Sequence, residues 1–355
     1  MKILHLIPRF TAGGAERLVL MYTESLRKQG VTIVVGSVVG GGELEEKFRK
    51  IGIEIFVAPQ RKFYRLLRVW FDLKKWVKNF APDIVHTHVF GADFNGYLLK
   101  KMLGVKWVST QHNIETSAPL WRKFVWKIIL RSADKIIAVS DSVYDFCLRE
   151  WRLPKEKLVL IKNGIELKPW LAVSSAELFA ASQLRLAAIG RLEKQKGHEI
   201  LLRALAELKI DWHLDVFGDG GLKEYLLSLA RQLSVDDKIS WRGVVLDLPS
   251  ELGKIDVIVQ PSLWEGMSLV VMEAMASGRV VIASQPAAVG LIENNKTGIV
   301  APISAEHALV DALLRAWQDK DASRQMALAA RDYAGRNFGI EKNLSAVEKL
   351  YQTLV

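Results

Sequence analysis

Short apolar runs of strand length alternate with amphipathic runs of helix length along almost the whole chain, in two successive series. Apolar runs of this kind are buried on both faces, so the order predicts parallel sheets covered by helices. The first series places strands over residues 2–7, 32–36, 53–57, 84–87, 107–110, 135–139 and 158–161. Its helices include 15–29, 66–79, 121–131 and 142–151. The pattern breaks around Asn163 and Gly164, and a poorly patterned stretch runs to about residue 183. The second series places strands over 185–189, 213–217, 238–241, 257–260 and 280–283, with helices including 198–208, 222–233, 269–276, 305–318 and 323–336. At 355 residues the chain suits two cores better than one. The expectation is an α/β protein with two doubly wound, Rossmann-like parallel-sheet domains, 1–165 and 166–337, facing across a cleft. In such sheets ligands bind beyond the carboxyl ends of the strands.

Composition narrows the class. The single Cys147 can form no internal disulfide and reads as core filler on a helix. The first residues form an apolar run too short for a secretory signal, with Pro8 and Arg9 directly after it. The longest apolar stretch, 125–139, is broken by Lys127, Arg131, Asp134 and Lys135, so no spanning helix of about 20 apolar residues is expected. A cytoplasmic protein is the reading. Of 49 Lys and Arg against 39 Asp and Glu, residues 1–165 hold 28 against 15. The basic excess therefore lies wholly in the first half, which implies an acidic partner touching that half.

Three segments carry chemistry. Segment 261–278 follows an apolar strand, turns at Glu265 and Gly266, and enters a helix with Ser268 as N-cap and Gly278 as its stop. Its first-turn amides suit an anion such as a diphosphate, and the carboxylates of Glu265 and Glu273 suit sugar or ribose diols. A capped core helix with one exposed Glu is the plainer reading. Segment 190–197 also follows a strand, and offers Arg191 and Lys196 to one anion. Between the first strand and helix, Gly13 and Gly14 allow close backbone approach to a phosphate or sugar. This is not G-x-G-x-x-G, and no acidic residue closes the second strand, so a nicotinamide dinucleotide is poorly supported. His86 and His88 lie at a strand end, where only one of them is expected to face the cleft. With no Cys or carboxylate ligands beside them, no metal site is expected. His112 also ends a strand and suits a sugar hydroxyl.

Taken together these segments resemble the family 4 retaining glycosyltransferases of the GT-B fold, over essentially the whole chain. The matching pieces are Gly13 to Glu16, Gln111 to Asn113, Ala138 to Ser140, Asn163 to Ile165, Gly190 to Leu192 with Lys196 and Gly197, Gly218 to Gly220, and Glu265 with Glu273 eight residues on. The resemblance implies a hexosyltransferase that needs no metal or other cofactor, with a nucleotide-diphosphate-sugar as co-substrate. It implies that Arg191 and Lys196 bind the donor diphosphate. Glu265 and the amides of Gly266, Met267, Ser268 and Leu269 would hold the transferred sugar and phosphates, and Glu273 the ribose. His112 would contact the sugar at its 6-position, Gly13 and Gly14 the phosphate from the other domain, and Gly218 and Val244 the base. It also implies that the last helix, 338–355, packs back onto the first domain through Leu344, Val347, Leu350 and Tyr351. The chain departs from the family after Gly278, where Arg279 and an apolar run replace the usual proline.

The resemblance implies an acceptor that is a glycan or a polyprenyl- or other lipid-linked sugar, in cell-envelope polysaccharide or glycolipid synthesis. Segment 61–78 interleaves cations with Phe63, Leu67, Trp70, Phe71 and Trp76, and segment 121–127 has the same character. Basic amphipathic helices with Trp and Phe suit an anionic membrane, so a peripheral position on the inner face of the cytoplasmic membrane is expected. Nucleic acid is not an expected partner, since no recognised binding module is present. The alternative enzyme is a GT-B-fold nucleotide-sugar epimerase, which would need acid and base side chains in place of this set.

Overall fold

The computed structural model describes residues 1–59, 66–114, 119–302 and 306–355. They form two compact units, 1–163 with 341–355, and 164–340.

The first unit is built on seven strands: β1 (Lys2–Arg9), β2 (Thr32–Gly40), β3 (Glu54–Val57), β4 (Ile84–His88), β5 (Lys106–Gln111), β6 (Lys135–Ala138) and β7 (Leu158–Leu160). Their spatial order is β3-β2-β1-β4-β5-β6-β7, and every pairing is parallel. Strand alternation divides the residues between the two faces. Leu4, Leu6 and Val85 enter one apolar cluster with Val34, Leu73 and Val77. His5 and His86, directly paired across β1 and β4, therefore point to the opposite face. The helix Ile340–Gln352 belongs to this unit and buries Val347 and Tyr351 completely.

The second unit has six strands: β8 (Leu184–Ile189), β9 (Trp212–Phe217), β10 (Ile239–Gly243), β11 (Val257–Gln260), β12 (Val280–Ser284) and β13 (Ile299–Ala301). They run β10-β9-β8-β11-β12-β13, again all parallel. Leu184, Leu186 and Ala188 enter one core, and Ala187 and Ile189 the other, so β8 is covered on both faces. In both sheets chain order reverses between the first strand and the fourth, which leaves a crevice beyond their carboxyl ends: β1 with β4, and β8 with β11.

The reading of the sequence needs three adjustments. β13 is only three residues long, too short to announce itself by alternation. The helix Val89–Leu103 was not anticipated. It buries Ala92, Asp93, Gly96 and Leu99, and a residue pair as polar as Asp93 and as small as Gly96 masks its stripe. The poorly patterned stretch after Gly164 is not a free linker, because Trp170, Val173, Leu178 and Phe179 are buried in the second unit.

That packing accounts for the departure after Gly278. Arg279 is wholly buried and donates to the carbonyls of Ile255 at 2.8 Å, Ser174 at 2.7 Å and Ser277 at 3.2 Å. Burial brings its pKa down to about 10. Where a proline would only stop a helix, this guanidinium also satisfies one carbonyl of the packed stretch, that of Ser174, and ties it to Ile255 and Ser277.

Candidate functional site

The two richest sequence segments of the second unit meet at its switch point. Glycine makes the approach possible at two positions. Gly197 has φ +67°, and a Cβ there would lie 2.0 Å from the carbonyl oxygen of Pro261, so the helix His198–Glu207 can start against the end of β11 only without a side chain. Gly218, at φ +141°, would place a Cβ 2.0 Å from the Gly190 carbonyl, which brings the ends of β8 and β9 together.

Side chains then lock the two segments. Leu263 N donates to Gln195 O at 2.8 Å, and Gln195 Nε2 donates to Trp264 O at 2.9 Å. Lys196 Nζ lies 2.6 Å from Glu265 Oε1, the side chains 15% and 8% exposed. Ser262 Oγ donates to the same oxygen at 2.8 Å and is itself reached by Gln260 Nε2 at 2.8 Å. The chain of donors fixes the Glu265 carboxylate in one place, while the ammonium keeps two further protons for a ligand.

Beyond Glu265 the chain enters the helix Leu269–Ala276, whose N-cap Ser268 accepts from Val271 N at 3.4 Å, and Gly278 follows at φ +65°. Seven of the eight helix residues are buried, Glu273 among them at 2% exposure. Leu269, Val271, Met272 and Met275 each contribute about 1.5–3 kcal/mol by that burial, so the helix is held firmly. The plainer reading, with one exposed Glu, is thereby corrected: Glu273 is a buried carboxylate in an otherwise apolar helix. Carboxylates are not put there for packing, since an ion removed from water must be compensated.

The other expected residues sit as follows. Gly266 and Met267 are half-buried beside Glu265, and Val244 is 39% exposed just after β10. Arg191 is not joined to Lys196; its Nη1 pairs with Glu193 Oε1 at 3.0 Å in an exposed setting. In the first unit Gly13 is the N-cap of the helix Gly14–Lys28. A Cβ on Gly13 would meet Glu16 Oε2 at 2.4 Å, so that carboxylate lies over the loop.

His112 is half-buried and belongs to a group that sequence reading did not assemble. His86 and His88 do not divide between faces: residues two apart in a strand share one, and their ring centroids are 4.4 Å apart. His5 joins them from β1, through a Nδ1 that lies 3.1 Å from His88 Nε2, and His88 Nδ1 lies 2.9 Å from His112 Nε2. His86 is held separately by Tyr351 Oη at 2.5 Å and Thr110 Oγ1 at 2.6 Å. One nitrogen each from His5, His86 and His88 falls within 4.8 Å of the others, a spacing a metal ion could also use. Eighty-one residues separate His5 from His86, so only the parallel pairing of β1 with β4 reveals the group.

Two further residues escaped sequence reading. His198 follows Lys196 and Gly197 directly; its Nδ1 is buried with no hydrogen-bond partner among the described residues, and burial, then the nearby Lys196 charge, brings its pKa down to about 4. Asp93 is wholly buried and accepts from Thr87 Oγ1 and Ser109 Oγ at 2.6 Å each, Trp126 Nε1 at 2.8 Å and Gln111 Nε2 at 3.2 Å. It ties β4 and β5 to the helix Leu120–Leu130. Burial raises its pKa above the usual carboxylate value in spite of those donors.

Comparison with known proteins identifies the family. Residues 183–319 match the family described as Glycosyl transferases group 1, and residues 12–168 that described as Glycosyltransferase Family 4. An uncharacterized glycosyltransferase of Methanocaldococcus jannaschii is 30% identical over 263 residues, 66% of this chain and 67% of that protein. The UDP-Gal:alpha-D-GlcNAc-diphosphoundecaprenol alpha-1,3-galactosyltransferase of Escherichia coli is 26% identical over 311 residues, 80% of this chain and 79% of that protein. Among solved structures, Anabaena HepE in complex with UDP-glucose superposes with a TM-score of 0.89 at 19% identity, covering 99% of this chain and 100% of that one. Two family matches, one falling mainly on each unit, and a relative aligned over two thirds of its length make this chain a member of the group 1 glycosyltransferases, of the family 4 type and GT-B fold.

Proposed function

We propose that this glycosyltransferase moves a hexose from a nucleoside-diphosphate sugar to a lipid-linked glycan at an anionic membrane surface, with retention and without a metal. The observation that carries the donor half is the Lys196–Glu265 pair at the switch point of the second sheet, backed by the buried Glu273. Lys196 and Arg191 supply the positive charge that a leaving diphosphate requires. Glu265, held by Lys196 and Ser262, accepts hydrogen bonds from hydroxyls of the transferred sugar, and Glu273 from the ribose. The amides of Gly266, Met267, Ser268 and Leu269 face the phosphates at a helix N-terminus. Gly218 and Val244 lie by the base, and Gly13, Gly14 and His112, from the first unit, keep the phosphate and sugar roles the resemblance implies. No carboxylate nucleophile stands among these residues, so leaving-group stabilisation and positioning carry the rate, with the departing phosphate taking the acceptor's proton.

The acceptor half rests on two observations. The Escherichia coli relative is named for a diphosphoundecaprenol-linked sugar. In addition, the helix Leu120–Leu130 presents Leu120, Trp121, Phe124 and Ile128 to solvent, at 83%, 66%, 65% and 48% exposure. These positions recur at helical spacing, with Lys123 and Lys127 alongside, while Trp126, Ile129 and Leu130 face inward. The other basic stretch supports the reading less. Trp76 stacks on Phe56 at 5.3 Å and donates to Glu54 at 2.6 Å, and Phe71 is exposed. Arg61 to Arg65, with Phe63, and the Leu67 side chain lie outside the described residues. Among the described residues no helix is long and apolar enough to cross a membrane.

The deciding experiment measures thermal stabilisation by a panel of UDP-, GDP- and ADP-sugars, with and without EDTA. A site of this kind is stabilised by RT ln(1 + [L]/Kd). Stabilisation that resists EDTA, with slow release of nucleoside diphosphate, supports the reading. Formation of an epimeric nucleotide sugar would instead support the epimerase, which neither the site nor the relatives favour.

A further inference from the structure

His5, His88 and His112 form a single file of hydrogen bonds running from the interior of the first sheet to its carboxyl end. His5 lies on β1, His88 ends β4 and His112 follows β5, three adjacent strands. His5 and His88 are wholly buried, and His112 is half-buried. The two links measure 3.1 Å, His5 Nδ1 to His88 Nε2, and 2.9 Å, His88 Nδ1 to His112 Nε2.

Burial keeps the rings neutral. It lowers the pKa of His5 to about 3 and of His112 to about 4, and pushes His88 well below its ordinary value, with the neighbouring histidines adding to the effect there. A neutral imidazole carries one proton, so each link needs one donor and one acceptor, and the file has two self-consistent arrangements. In the first, His5 Nδ1–H donates to His88 Nε2, His88 Nδ1–H donates to His112 Nε2, and His112 carries its proton on Nδ1. In the second every bond is reversed: His112 carries its proton on Nε2, and His5 carries one on Nε2.

The inner end decides between them. His5 Nε2 is buried and has no hydrogen-bond partner among the described residues. The second arrangement would leave an N–H donor stranded there, whereas the first leaves only a lone pair. A buried polar N–H left without an acceptor carries the full cost of desolvation, and among backbone groups orphaned donors are likewise rarer than under-satisfied acceptors. His86 does not compete, because both its nitrogens are engaged by Tyr351 and Thr110.

We infer that His88, backed by His5, is a positioning residue that locks His112 as the Nδ1–H tautomer, so that His112 presents a fixed hydrogen-bond donor to substrate. An isolated imidazole in water favours the opposite, Nε2–H tautomer; the file inverts that preference. The donor selects an oxygen lone pair, such as a sugar hydroxyl or carboxylate. Its use in transfer rests on the proposed function, whereas the tautomer itself does not.

The test uses the full chain with ¹⁵N-labelled histidine and no ligand, read by long-range ¹H–¹⁵N correlation at pH 7.5. The expected result is a protonated Nδ1 and a bare Nε2 at His112. His88→Leu should return His112 to the solution tautomer and lower kcat/KM by about tenfold or more, as loss of an orienting partner does elsewhere. His88→Asn places an amide donor near the former Nδ1 and should restore the Nδ1–H signature. If His88→Leu fails to fold, the wild-type and Asn spectra still decide. An Nε2–H signal at His112 in the wild type overturns the inference. So does an unchanged tautomer in a folded His88→Leu, or a stoichiometric metal in the purified protein bound through His5 and His88. Should the tautomer be as inferred while no nucleotide sugar stabilises the protein, the proposed function fails and the lock stands.

Discussion

Lys196 Nζ and Glu265 Oε1 stand 2.6 Å apart in a setting where neither side chain is more than 15% exposed. The cation assigned to the diphosphate and the carboxylate assigned to the sugar are thus one unit before any donor arrives. Such a pair costs desolvation and is worth keeping mainly if it prepares a site. A bound diphosphate would draw on the two remaining ammonium protons, while Glu265 stays aimed by Ser262.

Removing the cation should therefore do two things. Lys196→Ala is expected to lower kcat by about 10²-fold, the scale of losing one preorganised charge contact. It also leaves the Glu265 carboxylate buried without its ion partner, a loss of about 3–5 kcal/mol that urea denaturation would register. Glu265→Gln should retain more stability than Lys196→Ala, because Lys196 can still reach water. Near-normal turnover in Lys196→Ala would remove the diphosphate assignment.

Glu273 tests the nucleotide side. Glu273→Gln keeps the shape of the buried helix, and is expected to weaken nucleoside-diphosphate binding by about tenfold or more through loss of charged hydrogen bonds. Isothermal titration would measure it. A variant with unchanged affinity but lower stability would make Glu273 a purely structural carboxylate.

Much of this was legible from sequence, and the boundary of what was legible is physical. Parallel strands buried on both faces leave apolar runs that can be read directly, and β11 was placed over its four residues, Val257–Gln260. Segments 190–197 and 261–278 could be paired because both follow strands and carry chemistry unsuited to a core. What could not be read was contact between distant strands. The His5–His86 pairing, the Asp93 hub and the role of Arg279 depend on register and on a stretch with no periodicity. The exposed face of Leu120–Leu130 was ambiguous for a related reason, since Trp126 and Trp121 differ only in which way they point.

Glycine substitutions at the switch point should be costly out of proportion to their size. Gly218→Ala and Gly197→Ala each force a Cβ to within 2.0 Å of a carbonyl oxygen at a positive φ. Each is expected to cost about 3 kcal/mol or more, or to prevent folding. Gly221 has no atom within 4 Å of its would-be Cβ, so Gly221→Ala should change stability by no more than about 0.5 kcal/mol. Equal urea midpoints for Gly218→Ala and Gly221→Ala would refute the close approach.

The buried histidines set a pH dependence. His5, His86, His88, His112 and His198 all have folded pKa values lowered by burial from 6.5, to about 3 for His5 and about 4 for His112 and His198. A lowered histidine pKa means that the unfolded chain binds the proton first. Stability is full above pH 6.5 and falls as pH drops from 6.5 toward 4, by on the order of 1 kcal/mol per pH unit for each such group. Asp93, raised by burial, works in the opposite sense, from the ordinary carboxylate pKa upward, and as one group against five it offsets only part of the loss. Thermal melts should be flat from pH 8.5 to 7 and drop steeply between 6.5 and 4.5; a level profile through that window would contradict the neutral, buried cluster.

The membrane reading makes the sharpest demand on one helix. Trp121, Phe124 and Ile128 are 66%, 65% and 48% exposed on the outer side of Leu120–Leu130, and removing them should not disturb Trp126 and Ile129 beneath. A combined Trp121→Ser, Phe124→Ser variant should keep the wild-type melting temperature within a few degrees and its donor binding unchanged. Its binding to vesicles containing phosphatidylglycerol should nonetheless fall at least tenfold, because two aromatic anchors no longer enter the headgroup zone. Lys123→Glu with Lys127→Glu should weaken binding at low salt and have less effect at 0.5 M, where the Debye length is only a few ångströms. Flotation of wild type and variants with anionic and zwitterionic vesicles measures both contributions. If wild type stays with the protein fraction on anionic vesicles at low salt, the exposed stripe does not dock on lipid, and the acceptor reading then has only the lipid-linked relative to support it.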